Sequence, residues 1–98
     1  MSQHIFETSN YQGESLTVTM GYDRPLDFVF CTVMTKSDDL VYSNLDDDSA
    51  GTHQQDVNYY RSVLDALGLH VPESVFREVK ADQIARVGNR VKVHVLAR

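Results

Sequence analysis

The chain has 98 residues, of which 42% are hydrophobic and 23% charged, with a net charge of −5. That is the length of one domain, with too much apolar content for a disordered chain and the wrong charge for a protein that lives on nucleic-acid phosphates. No apolar run approaches the roughly 20 residues of a membrane helix, the N-terminus has no basic-then-apolar leader, and the single cysteine, Cys31, cannot close an internal disulfide. A cytoplasmic, bacterial-style small protein is the expectation.

The charge is uneven. Residues 1–50 carry nine acids and two bases, net −7, and residues 51–98 carry five acids and seven bases, net +2. Two such halves can attract each other within a chain or between chains. A solvated surface of uneven charge is the plainer reading.

In chain order, residues 4–8 read as a first strand, and 10–13 supply turn residues. Leu16, Val18, Met20 and Tyr22 alternate with Ser15, Thr17, Thr19 and Gly21, the period of a half-buried strand. Pro25 breaks the chain and holds Arg24 extended. In the run 27–35, Phe28, Phe30 and Met34 share one face and Val29, Cys31 and Val33 the other. A strand apolar on both faces is expected to be central and covered twice. Residues 37–39 turn into a short fourth strand, 40–44. The short connections favour an antiparallel meander.

After Gly51 the period changes. Val57, Tyr60, Leu64 and Leu67 mark one face of a helix. Thr52 and Gln55 fit a capping box, and Gly68 fits the C′ position, where a positive φ is needed. Pro72 suits the first turn of a second helix, which Val75, Phe76, Val79 and Ile84 carry to about Val87 before Gly88-Asn89. Val91, Val93 and Val95 alternate with Lys92 and His94 as a fifth strand. The expected fold is α+β: a four-stranded antiparallel meander, a helical hairpin on one face, and a C-terminal strand, all in a single domain 1–98. A hairpin covers only one face. The face with Val29, Cys31 and Val33 is therefore expected to need another cover, and a second copy of the chain is the preferred one.

The aspartate run in SNLDDDSAGTH, residues 43–53, suggests a cation site using Asp46, Asp48 and His53. Read as a calcium loop from Asp46, it has Asp48 and Gly51 in place, but Ala50 and Val57 occupy liganding positions. Carboxylates leading into a helix N-terminus explain the run better. Cys31 lies mid-strand in the most apolar run and reads as a buried thiol rather than a nucleophile. The four histidines have unrelated spacings, and no GxSxG, HExxH, CxxC, P-loop or GxGxxG occurs. The helical pair can be laid on a helix-turn-helix, but Glu73, Glu78 and Asp82 dilute Arg77, Lys80 and Arg86 on the second helix, and a hairpin on a sheet is preferred. Tyr59 points about 100° from the core-facing Tyr60 and is a candidate partner contact.

The strings VYSNLDDD, LGLHVPESV and VGNRV resemble a group of small bacterial proteins of unknown function, in which a strand-rich half precedes a helical hairpin. The resemblance spans about residues 40–91. It implies no activity and assigns no functional residue. The preferred reading is a non-enzymatic, protein-binding or self-associating module without a cofactor, possessing interface candidates Val29, Cys31, Val33 and Tyr59. Its alternatives are a small ligand- or metal-binding protein or enzyme with a pocket between sheet and helices, and a protein that binds nucleic acid through its C-terminal basic residues.

Overall fold

The computed structural model describes residues 1–10, 12–53 and 56–94. Strands β1 (Ser2–Ser9), β2 (Ser15–Asp23), β3 (Phe28–Thr35) and β4 (Leu40–Ser43) pair antiparallel in succession. A 3₁₀ turn at Asn44–Asp46 leads into helices α1 (Asp48–His53), α2 (Val57–Ala66) and α3 (Glu73–Ala85). Strand β5 (Arg90–His94) then joins the far edge, giving the order β4-β3-β2-β1-β5. The fold is α+β, as composition and periodicity suggest. The sheet is mixed, however, because β5 runs parallel to β1. No described helix is long and apolar enough to cross a membrane.

The long helix expected from Thr52 is in fact two. Asp56 is the N-cap of α2, and its carboxylate accepts a bond from the Asn58 N–H at 2.9 Å. A side-chain acceptor there satisfies a donor that the helix itself cannot, so the chain restarts at that point. Gln55, half of the expected capping box, lies outside the described residues, as does Val95 of the expected fifth strand. At the other end of α2, Gly68 takes φ 76°. Its N–H bonds the Asp65 carbonyl while the Leu69 N–H bonds that of Leu64, the Schellman closure that Gly68 predicts. Pro72 is the N-cap of α3 rather than a residue of its first turn, and the helix stops earlier than expected, at a left-handed Arg86 with φ 52°.

The core lies between one sheet face and the helices. Phe6, Val18, Met20, Val29, Cys31 and Val33 from the sheet meet Tyr60, Leu64, Val75 and Val79, all fully buried. This corrects the expectation about cover. Val29, Cys31 and Val33 face the helices, and the Tyr60 hydroxyl donates to the Val29 carbonyl at 2.9 Å. As interface candidates these three are inside the fold. The half-exposed face of β3 is the other one, with Phe28, Phe30, Thr32 and Met34. Alternation puts the two sets on opposite faces but does not say which set the helices choose. Gly21 is paired with Phe30, and a Cβ added at Gly21 would stand 2.0 Å from the Ser2 carbonyl oxygen and 3.1 Å from the Phe30 ring. The outer face therefore fills its glycine gap with an aromatic ring and a close backbone.

Candidate functional site

Two elements bring a polar cluster to the β5 edge. In α3, Val75, Val79 and Asp82 are buried and Glu78 is half-buried, the i, i+3, i+4, i+7 stripe of one helix face. Two carboxylates thus sit four residues apart on the side that meets the sheet, an arrangement that repels unless positive groups answer it. The answer comes from β5. Its pairing with β1 sets Lys92 beside His4 and His94 beside Phe6, so Lys92 and His94 project toward α3, and Val91 and Val93 project to the open side.

His4 is fully buried in β1. Its Nε2 lies 2.6 Å from Asp82 Oδ2, and its Nδ1 lies 2.8 Å from Nε2 of His94. The other Asp82 oxygen accepts from Arg90 at 2.9 Å. His94 Nδ1 stands 3.5 Å from Glu78 Oε2, and Glu78 Oε1 accepts from Lys92 Nζ at 2.6 Å. The hydrogen bond from Lys92 holds the Glu78 carboxyl below its usual range, so that group is a carboxylate at neutral pH. Burial lowers the His94 pKa against the pull of Glu78.

Counting protons shows what this row lacks. Carboxylates only accept, so His4 Nε2 carries its proton toward Asp82, and in the neutral ring Nδ1 is a lone pair. That lone pair needs a donor, and His94 Nε2 is the atom facing it. A neutral His94 then turns a bare Nδ1 toward the Glu78 oxygen, acceptor to acceptor. The row Asp82–His4–His94–Glu78 has three gaps and two neutral imidazoles have two N–H groups. A third N–H, from one more proton on the pair, fills the row, and a cation held between the two rings relieves it as well.

A second polar cluster sits near the β4 edge. Asp47 Oδ2 accepts from the Tyr42 hydroxyl at 2.8 Å and the Tyr59 hydroxyl at 2.6 Å, and its Oδ1 accepts from the Ser49 N–H at 3.1 Å. The Tyr59 and Tyr42 bonds hold the Asp47 carboxyl below its usual range. Tyr59 is therefore half-buried and tied to the turn before α1, where a free partner contact had been expected.

Of the other predicted residues, the C-terminal bases Arg90 and Lys92 join the first cluster, while Asp46, Asp48 and Cys31 join neither. Asp46 and Asp48 are exposed in the turn and in α1, and the His53 side chain lies outside the described part. Burial pushes the Cys31 thiol up to about 12, which leaves it inert as a nucleophile. Among the C-terminal bases, Arg86 pairs with Asp27, Arg90 with Asp82 and Lys92 with Glu78. The paired histidines, His4 and His94, are 90 residues apart, and their spacing carries no signal in the sequence. The signal that was present is the period-two set Arg90, Lys92, His94 following the i, i+4 pair Glu78, Asp82.

No family model, no curated protein and no solved structure matches this chain. The site is accordingly read from its own chemistry.

Proposed function

We propose that the protein is a small metal-binding domain that takes one divalent first-row transition ion between His4 Nδ1, His94 Nε2 and a Glu78 carboxylate oxygen. These three residues offer ligand atoms that all lie within 4.8 Å of one another. The observation that carries the reading is the buried His4 ring. Its Nε2 is fixed by Asp82, so Nδ1 is presented as a lone pair 2.8 Å from the second imidazole. A carboxylate on the far nitrogen is the usual support for a metal-binding histidine, since it fixes the tautomer and raises the ring's basicity.

Two imidazoles at metal distance and tetrahedral angle stand about 3.3 Å apart. A small rotation of the His94 ring at the strand end reaches that separation. Two nitrogens and one carboxylate suit zinc and its neighbours. Calcium and magnesium want oxygen ligands, and the cluster presents few of them. Lys92 keeps Glu78 ionised through Oε1, and Oε2, which faces His94 Nδ1 at 3.5 Å, turns to the ion when it binds.

Titration calorimetry of the full chain with zinc chloride tests the reading. One site per chain is expected, with at least a hundredfold weaker binding in His94→Ala and no weakening in His70→Ala. Equal affinity in all three proteins would overturn it.

A further inference from the structure

The sheet face away from the helices is the largest feature that the metal centre leaves unexplained. It carries Ile5, Phe28, Phe30, Met34, Val91 and Val93, with Val91 and Val93 66% and 67% exposed. Thr17, Thr19 and Thr32 lie between them, in register with Ile5 and Met34 across β1, β2 and β3. Among the described residues, no lysine or arginine projects from this face. Its acids are Glu7 and Asp23, near opposite strand ends.

We infer that this face is the seat of a second copy of the same chain, packed sheet against sheet. Area is the first argument. Strands of eight, nine, eight, four and five residues, at about 3.3 Å per residue and 4.8 Å between strands, make a face of about 540 Å². Two such faces bury about 1,100 Å² before side-chain relief is counted, above the roughly 1,000 Å² expected of a specific interface. Charge is the second. Each copy carries a net charge of −5, yet the middle of the face is uncharged, so two copies meet there without opposing like charges. A nucleic acid or an acidic peptide would find no cation on it, and a basic partner would find only the two acids near its ends. An uncharged surface of threonine, aliphatic and phenylalanine side chains is complementary to itself, and two sheets stacked about 10 Å apart bury it. The metal centre lies on the helix side, so this inference stands or falls apart from it.

Sedimentation equilibrium of the full chain, in the presence of a chelator and again with zinc, tests the proposal. At high micromolar concentration the expected mass is twice the 11.1 kDa of the chain in both buffers. Thr19→Lys places a charge at the centre of the face and is expected to give a folded monomer, with circular dichroism as the check. Leu45→Lys, at an 80% exposed position off the sheet face, is expected to remain a dimer. A monomeric wild type would overturn the inference, including one whose face takes up uncharged lipid vesicles or an added peptide. So would a Thr19→Lys protein that still sediments as a dimer. Should Thr19→Lys not fold, Val93→Lys, at the exposed edge of the same face, takes its place with the same expected loss of mass.

Discussion

The β4 and β5 edges of the sheet are both joined to helical chain by a carboxylate, and they are joined in different ways. At the β4 edge, Asp47 receives two phenol hydroxyls and a backbone N–H. Every donor there is neutral and has one proton to give, so the cluster is complete as it stands. At the β5 edge, Asp82 and Glu78 receive imidazoles, and the imidazoles must also satisfy each other. Each ring nitrogen is a donor or an acceptor according to its proton, and with both rings neutral the row comes out one N–H short. Phenols close a polar cluster. A pair of neutral histidines leaves it one N–H short.

The contrast is broken most severely at Asp82. Asp82→Ala removes the partner of a fully buried ring and leaves the His4 N–H without an acceptor. We expect a loss of about 3 kcal/mol in chemical denaturation, with zinc binding weakened because the tautomer is no longer fixed. Tyr42→Phe at the other edge deletes one of the bonds to Asp47 while Tyr59 and Ser49 remain. It should cost about 0.5–1 kcal/mol, the low end of the hydrogen-bond range for a half-exposed group, and leave zinc binding unchanged. A Tyr42→Phe loss as large as that of Asp82→Ala would remove the distinction between the clusters.

The smallest effect is one of pH. The Asp47 carboxyl is depressed by its tyrosine bonds, so its contribution is fully present above the ordinary aspartate range near pH 4 and is lost as pH falls through its lower folded value. The stability gap between wild type and Asp47→Asn should therefore narrow as the pH is taken from 5 toward 2, followed by urea denaturation at each pH. A gap that widens on acidification would contradict the assignment of Asp47 as the paired, ionised group.

Much of this architecture could be read before any coordinates. Period-two runs placed the second and fifth strands, apolar runs and turn residues placed the others, and Gly68 marked its Schellman closure, because these signals are local. What could not be read was which face the helices cover. Val29, Cys31 and Val33 look as apolar as Phe28, Phe30 and Met34, and nothing in either set marks the face that the helices cover. The parallel entry of β5 beside β1 is non-local. It is what joins residue 4 to residue 94, so the histidine pair was invisible to any search by spacing. Conversely, the aspartate run 46–48 looked like a site because it is contiguous. The structure distributes it over a turn and a helix start, and only Asp47 turns inward.

The central claim is that His4 and His94 present facing nitrogens to a metal ion. The most direct test is a ¹⁵N–¹H spectrum of the imidazole nitrogens in labelled protein, recorded as zinc is added. The account predicts that His4 Nδ1 and His94 Nε2 move together to metal-bound shifts at one equivalent, with His4 Nε2 still protonated toward Asp82 and the His70 resonances unmoved. Resonances of His4 and His94 that stay in place at one equivalent of zinc would contradict it.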